Sequence, residues 1–334
     1  MSRMLTFDSF TLIPTYSDIE SRNDVDISTN ICGVESQIPI INANMLSICS
    51  KDMMDVLHDH HTFSSYHRFF NSKENRIKAL TNLKKYKDHL FISLGTKKEE
   101  YDFATMLREI GFKNFIVDVN HGHHKMVENI VRHVKDISAD TVVMAGNVSS
   151  VNGILYLQNA GADIIKIGNS FGFSCTTIKQ TGFGAHPIDT AIRYNDYLVN
   201  KKREHERVKL CIDGGIRDVS DIAKSLIYGD VVMLGRMFAG STESFGRSIL
   251  TGDLNSARTM KEYFGNASVK TKQVIDEENH VRHVEGTTKL VPHTGPLSDT
   301  LASIKEGLQS AFSFVGARNI KEYQERAKHQ VLKV

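Results

Sequence analysis

The sequence predicts an α/β protein folded as a closed (β/α)8 barrel of the TIM type. Eight short β-branched or apolar runs predict strands, and amphipathic stretches with helical spacing lie between them. The strand starts follow one another mostly at intervals of about 25–30 residues, the length of one strand–helix unit. An open, doubly wound parallel sheet is the alternative, and eight such units favour closure into a barrel.

The predicted strands end at polar residues or glycine. Between them, Ile77, Leu80 and Leu83, and later Ile222 and Leu226, recur at the spacing of one helix face. The eight predicted strands are Ile38–Ala43, Thr62–Tyr66, Leu90–Leu94, Asn114–Asp118, Thr141–Ala145, Ile164–Ile167, Lys209–Ile212 and Val231–Leu234.

One barrel domain is predicted for residues 1–334. Residues 1–37 precede the first strand, and residues 250–298 form a long polar segment after the eighth. A segment of that length without secondary structure of its own is typically a lid over a functional site, so we expect a flap there. Residues 299–325 carry apolar side chains at helical spacing and predict one closing amphipathic helix.

The charge balance limits the classes of partner. Lys and Arg number 41 against 39 Asp and Glu, a net charge of +2, which argues against a dedicated nucleic-acid binder but not against a local phosphate site. No apolar run approaches the roughly 20 residues of a membrane span, and the N-terminus lacks an apolar signal core. The four cysteines are scattered without a C-x-x-C pair. We therefore expect a cytoplasmic protein with reduced thiols and no membrane partner.

Polar residues and glycines follow every predicted strand. A single polar strand end is most simply a turn, but in a barrel the carboxyl ends of all the strands meet at one face. Eight polar strand ends together therefore predict a functional site at the carboxyl face of the barrel. The segments are Asn42–Met45, Tyr66–Arg68, Gly95–Thr96, Asp118–His123, Gly146–Asn147, Gly168–Cys175, Asp213–Gly215 and Gly235–Arg236.

Cys175 differs from the other cysteines in its surroundings. Its neighbours are glycine and hydroxyl residues, which are typical of an exposed loop in which a thiol acts as a nucleophile. A buried structural role is the simpler interpretation for Cys32, Cys49 and Cys211.

The segments after strands seven and eight occupy the barrel position where phosphate commonly binds. Gly214 and Gly215 follow Asp213, and Arg236 follows Gly235. Asp213 can accept hydrogen bonds from a ribose, although a helix N-cap is the plainer role for it.

With these residues in place, the chain resembles the IMP dehydrogenase/GMP reductase family from about residue 6 to about residue 323. The matching motifs are Cys175-Thr-Thr177, Asp213-Gly-Gly-Ile-Arg217, Met233-Leu-Gly235, Phe238-Ala-Gly240, Val284-Glu-Gly286 and Val291-Pro-His-Thr-Gly295.

Three features are similar to the short reductase form of Gram-positive bacteria. Tyr66-His-Arg68 runs directly into a short helix and leaves no room for the regulatory insert usual in the dehydrogenases. Residues 250–298 contain no adjacent Arg-Tyr pair of the kind that activates water in the dehydrogenases. The segments Glu262–Ser268 and Leu308–Ala311 look like the reductase form.

The resemblance implies NADPH-dependent conversion of GMP to IMP and ammonia. Cys175 corresponds to the thiolate that attacks purine C2, and Thr177 and Glu285 correspond to the proton-transfer pair. Without the resemblance, Glu285 would be interpreted as a solvated charge on the flap. A homotetramer is a further expectation from the family.

Other site residues are implied by the same resemblance. Asp118, Asn120 and Arg68 correspond to the cofactor side, and the backbone carbonyls of Gly168, Gly172 and Cys175 to a potassium (K+) site. The expected contacts to GMP are Gly172, Asp213, Gly214, Gly215, Gly235, Arg236, Arg282 and Gly286.

The cysteine loop departs from the family pattern. Relatives usually have Gly-Ile-Gly-Pro-Gly, where this chain has Gly168-Asn-Ser-Phe-Gly172, and Phe173 replaces a small or polar residue. This change leaves open a deoxynucleotide or a modified purine as substrate. It also leaves open a purine-nucleotide binder without turnover, beside a dehydrogenase that lacks its insert and, more broadly, a phosphate-binding barrel lyase.

Overall fold

The N-terminal elements lie outside the barrel. The computed structural model describes residues 4–252, 257–275, 284–327 and 331–333. Strand β1 (Phe10–Leu12) is followed by an antiparallel hairpin of β2 (Thr29–Ile31) and β3 (Val34–Ser36). The first 37 residues therefore precede the barrel as predicted, but they carry three short strands of their own.

Eight parallel strands form the central sheet, and all eight predicted strands are confirmed. The largest differences from prediction are at β8, which continues three residues further to Val148, and at β4 and β5, which begin two residues later. The strands are β4 (Ile40–Asn42), β5 (Ser64–Tyr66), β6 (Leu90–Leu94), β7 (Asn114–Asp118), β8 (Val142–Val148), β9 (Ile164–Ile167), β10 (Lys209–Asp213) and β11 (Val231–Leu234).

The sheet closes on itself. Its strand order is β4-β11-β10-β9-β8-β7-β6-β5, and a parallel bridge between Ile41 and Phe63 joins its two ends. The fold is therefore a (β/α)8 TIM barrel and not an open sheet. Strands such as β6 and β11 are buried along their whole length, as expected for parallel strands covered on both faces.

Helices alternate with the strands and cover the barrel. Many begin where a serine or aspartate side chain accepts a hydrogen bond from the third helical N–H, as Ser50, Ser72, Ser150 and Asp218 do. The helices are α1 (Lys51–Asp59), α2 (Lys73–Asn82), α3 (Glu99–Ile110), α4 (Lys125–Ile137), α5 (Val151–Asn159), α6 (Thr177–Thr181), α7 (Pro187–Lys201), α8 (Val219–Leu226) and α9 (Arg236–Ala239).

The predicted flap has a sheet of its own. Strands β12 (Ser248–Thr251), β13 (Arg258–Phe264) and β14 (Thr288–Pro292) form a three-stranded antiparallel sheet, and α10 (Val269–Ile275) lies between the last two. The expectation of a segment without secondary structure was therefore wrong, because β13 pairs with the nearby β12 and also with β14, which begins more than twenty residues later in the chain.

The single closing helix predicted for residues 299–325 was also wrong. Two helices are present, α11 (Leu297–Ser313) and α12 (Ile320–Ala327), before β15 (Val331–Lys333) pairs with β1. Gly316 adopts φ +65°, and the N–H of Ala317 bonds back to the carbonyl of Phe312, which ends α11 in the manner of a C-terminal glycine cap. None of the helices in the described ranges is long and apolar enough to cross a bilayer.

Candidate active site

A cavity of about 430 Å³ opens at the carboxyl end of the barrel. Its walls come from the segments after β4, β5, β7, β8, β9, β10 and β11, together with residues of the β12–β14 region. The predicted convergence of polar strand ends on one rim is therefore confirmed for these strands. All the predicted site residues that the structure describes line this cavity. Arg282 lies outside the described residues.

Cys175 begins a chain of hydrogen bonds that ends at Glu285. Its Sγ lies 3.2 Å from Thr177 Oγ1, and the Thr177 hydroxyl donates to Glu285 Oε2 over 2.8 Å. Because the hydroxyl proton is directed to the carboxylate, the thiol is the donor to Thr177. Asn120 Nδ2 donates to both Glu285 Oε2 and Thr177 Oγ1, at 2.5 and 3.2 Å. This arrangement provides a path for a proton between the thiol and the carboxylate.

Backbone pairing brings Glu285 to the cysteine loop. Cys175 and Gly286 form an antiparallel bridge, and the N–H of Thr176 donates to the carbonyl of Glu285 over 2.9 Å. On the other side of Gly286, the N–H of Thr287 donates to the carbonyl of Ser174, also over 2.9 Å. The carboxylate is thus placed by strand-like contacts, so its interpretation as a freely solvated flap charge does not hold.

The glycine turn after β10 offers unpaired donors. Gly214 and Gly215 adopt φ values of +99° and +80°, which side chains rarely tolerate. Within the described residues, neither backbone N–H donates a hydrogen bond to another part of the chain. Gly172 N is 3.3 Å from the position that a Cβ on Gly214 would occupy, so two loops come together here. Neighbouring free N–H groups of this kind form a concave anion site.

Two cationic side chains, those of Arg236 and Lys289, contact the ring of Phe173 beside the cavity. The Arg236 guanidinium lies 4.3 Å and Lys289 Nζ 4.2 Å from the centre of its ring. Lys289 also donates to the carbonyl of Phe173 over 2.6 Å. In the part of the chain that the structure describes, neither cation pairs with a carboxylate. The unusual Phe173 therefore holds positive charge beside the glycine turns.

Lys166 is a site residue that our sequence reasoning missed. It is only 3% exposed, and its Nζ lies 2.9 Å from Asp118 Oδ1 and 3.0 Å from Asp213 Oδ2. Asn147 Nδ2 donates to the same Asp213 oxygen over 2.8 Å. A signal was present, because a lone lysine in the apolar strand Ile164-Ile-Lys-Ile167 needs a buried partner.

Ion pairing favours the charged forms of Asp118 and Lys166. Burial by itself would raise the pKa of Asp118, but the Lys166 ammonium outweighs it and lowers that pKa below its ordinary value. Burial would likewise lower the pKa of Lys166, but Asp118 and Asp213 raise it above the ordinary value. The Asp118 carboxylate and the Lys166 ammonium are therefore both charged at neutral pH.

A second cavity, of about 440 Å³, adjoins the first. The two share Arg68, Phe69 and Val119 as walls. Arg68 Nε is buried and has no hydrogen-bond partner among the described residues, so the junction presents an unused donor. Further along, the second cavity is lined by Lys73 and Lys97. Glu99 and Glu100 line it as well, so the second cavity carries charges of both signs.

Two of the three carbonyl groups expected to bind K+ already accept a hydrogen bond. The Gly168 carbonyl accepts from Asn147 Nδ2 over 2.6 Å, and the Gly172 carbonyl accepts from the N–H of Cys175 over 2.9 Å. Because a carbonyl oxygen has a second lone pair, these bonds do not decide the matter, and the K+ site stays a prediction. No step of the chemistry below uses such an ion.

The remaining cysteines are separate from the site. Cys49 and Cys211 are buried as predicted, and burial raises the pKa of both thiols, that of Cys49 to about 12. The prediction of a buried Cys32 was wrong, because this residue lies exposed in the turn between β2 and β3 with φ +54°.

The site is a cavity at the carboxyl end of a barrel, lined by a cysteine that is hydrogen-bonded through a threonine to a glutamate. The chain belongs to the IMP dehydrogenase/GMP reductase family, an oxidoreductase family: the model of the "IMP dehydrogenase / GMP reductase domain" matches residues 4–333. The resemblance seen in the sequence is thereby confirmed.

The similar proteins with curated names include GMP reductases of several bacteria. The GMP reductase of Staphylococcus carnosus is 34% identical over 322 residues, covering 95% of this chain and 93% of the relative. That of Oceanobacillus iheyensis is 33% identical over 327 residues, covering 96% and 93%. That of Streptococcus equi subsp. equi is 33% identical over 328 residues, covering 98% and 94%.

Proposed function

We propose that the protein reduces GMP to IMP and ammonia with NADPH, through a covalent intermediate on Cys175. The observation that carries the proposal is the hydrogen-bonded series of Cys175, Thr177 and Glu285. The names of the relatives support the choice of GMP.

The first half-reaction replaces the 2-amino group by sulfur. The thiol proton of Cys175 passes through the Thr177 hydroxyl to Glu285, and the resulting thiolate attacks C2 of the purine. Glu285 returns a proton, again through Thr177, to the amino nitrogen. The C2–N bond breaks, ammonia leaves, and a thioimidate joins Cys175 to the nucleotide.

The second half-reaction releases IMP. The reduced nicotinamide supplies the hydride that C2 receives. The C2–S bond then breaks, and the thiolate leaves with its electron pair as the purine ring recovers its double bond. Asn120 contributes by holding Glu285 and Thr177 in register, since its amide donates to both.

The nucleotide binds along the strand ends of β10 and β11. In the proposed pose the ribose hydroxyls donate to Asp213, and the 5′-phosphate accepts from the free N–H groups of Gly214 and Gly215. The side chain of Arg236 adds a full positive charge to that end of the cavity. Gly172, Gly235, Gly286 and Arg282 complete the set of proposed nucleotide contacts.

The cofactor occupies the remaining space toward the second cavity. Asp118 and Asn120 border the nicotinamide, and Arg68 donates its unused Nε–H to the cofactor's phosphates at the junction. Lys73 and Lys97 favour NADPH over NADH, because an extra 2′-phosphate would add negative charge near two lysines.

The test follows the oxidation of NADPH by absorbance with purified protein and GMP, and measures IMP and ammonia at the end. Equal amounts of NADP, IMP and ammonia are expected. Cys175→Ala should abolish turnover, whereas Cys32→Ala, a matched change at the exposed cysteine, should leave it intact. Substantial turnover by Cys175→Ala would refute the covalent route.

Two further assays address the alternatives left open by the loop. IMP with NAD tests the dehydrogenase reaction, and dGMP tests tolerance of a missing hydroxyl. If GMP binds and no nucleotide reacts, the protein is a binder without turnover. A role in purine salvage, a cytoplasmic location and assembly as a homotetramer stay predictions from the family.

A further inference from the structure

We propose that Lys166 is a positioning residue that orients Asp118 and Asp213 together and so couples the cofactor side of the site to the nucleotide side. This inference rests on the proposed function for the roles of the two carboxylates. The contacts themselves are independent of it.

The register of the sheet explains how one lysine reaches both carboxylates. Asp118 on β7 pairs with Gly146 on β8, and Gly146 pairs with Lys166 on β9, so the three residues form one row across the sheet. Strands lie about 4.8 Å apart, which puts β7 roughly 10 Å from β9. The four-carbon stem of lysine spans this gap, and Asp213 approaches from the adjacent β10.

Gly146 makes this contact feasible. A Cβ at that position would lie 2.3 Å from the Lys166 carbonyl oxygen and 2.7 Å from its Cβ. The middle strand therefore contributes no side chain to the row, and the ammonium reaches Asp118 across it. The contact between Lys166 and Asp118 therefore depends on glycine at position 146.

Lys166 holds one oxygen of each carboxylate, and in the proposed function Asp213 faces the nucleotide while Asp118 faces the cofactor. One Asp213 oxygen, Oδ2, is held by both Lys166 and Asn147, which leaves Oδ1 available to the nucleotide in the proposed pose. One Asp118 oxygen, Oδ1, is held by Lys166 on the opposite side. Loss of the ammonium would remove the charged donor that the two carboxylates share, would leave Asp213 with Asn147 and Asp118 with Asn44, and would place two like charges close together. Both ligands should therefore bind less well.

The main test compares Lys166→Met with Lys166→Arg. Methionine keeps the length of the stem without the charge, and arginine keeps the charge. For Lys166→Met we expect KM for GMP and KM for NADPH to rise at least about tenfold each, the effect of losing a hydrogen bond to a charged group. Lys166→Arg should recover most of both losses. Asp213→Asn should affect mainly GMP, and Asp118→Asn mainly NADPH.

Calorimetric binding of GMP and of NADPH provides a readout that does not depend on turnover. If the wild type binds both and fails to reduce GMP, the proposed reaction is wrong while the role of Lys166 is still measured by affinity. If the wild type binds neither, both ideas fail. KM and affinity values within about twofold of wild type in Lys166→Met, or a change on one side only, would overturn the coupling role.

A double variant covers the case in which Lys166→Met does not fold. Lys166→Met/Asp118→Asn removes one buried negative charge together with the positive one, so the net charge of the cluster is unchanged. We expect it to fold and to bind GMP at least about tenfold more weakly than Asp118→Asn alone, because Asp213 still lacks its charged donor and keeps only Asn147. Equal affinity of these two variants would refute the role of Lys166 toward Asp213.

Discussion

Thr177→Val is the sharpest test of the proposed proton path. Valine has nearly the shape of threonine, but it replaces the hydroxyl by a methyl group. Thr177 is 4% exposed, so the change occurs inside the site without opening it to water. The hydroxyl contacts Cys175 Sγ at 3.2 Å and Glu285 Oε2 at 2.8 Å, and both contacts would be lost.

The expected loss follows from these contacts. A hydrogen bond to a charged group is worth about 1.5–3 kcal/mol, which corresponds to a factor of roughly 10–150 in rate. Positioned proton transfer contributes about 10²–10⁴. Because both half-reactions need the path, we expect kcat to fall at least about 100-fold. KM for GMP should change less than about threefold, since the hydroxyl is not among the proposed nucleotide contacts.

The assay measures kcat and KM by NADPH oxidation, with Thr176→Val as the matched control. Thr176 makes its bond to Glu285 through the backbone N–H, which valine retains. The control should keep kcat within about threefold of wild type and show an unchanged thermal unfolding midpoint.

A Thr177→Val enzyme with kcat near the wild-type value would refute the reasoning. The thiol would then lose its proton by another route. A fall in kcat accompanied by an equal rise in KM would instead show that Thr177 binds the ground state.

Three more predictions concern the binding of GMP, the preference for NADPH over NADH, and the stability of the fold at acid pH. Arg236→Gln should raise KM for GMP about tenfold with little change in kcat, because it removes a charge from the phosphate end; equal KM values in steady-state assays would contradict this. Lys97→Glu should reduce the preference for NADPH over NADH by at least about fivefold in kcat/KM, and Lys78→Glu, at an exposed position of α2 that does not line the second cavity, is the control. Burial lowers the pKa of His186 to about 4, so its stabilising effect is complete above the ordinary pKa of about 6.5 and is lost as pH falls from there toward 4. His186→Asn, which retains an N-cap acceptor for α7, should flatten the fall of the unfolding midpoint over that pH range; an unchanged slope would contradict the assignment.

The sequence by itself determined the barrel and singled out Cys175 as the proposed nucleophile. Buried parallel strands are near-continuous apolar runs, and that local property placed all eight strands. The glycine turns and the hydroxyl-rich loop around Cys175 are local as well, because they depend on the backbone freedom of adjacent residues. Glu285 was found only through the family resemblance.

Only the tertiary structure decided which distant side chains meet. Lys166 reaches Asp118 because the register aligns three strands and the middle one carries glycine. Glu285 reaches Thr177 because the chain returns to pair beside Cys175 after more than a hundred residues. Arg236 and Lys289 meet on Phe173 across three separate segments. No local periodicity records such contacts, since they depend on strand order, register and loop path, which only the assembled barrel fixes.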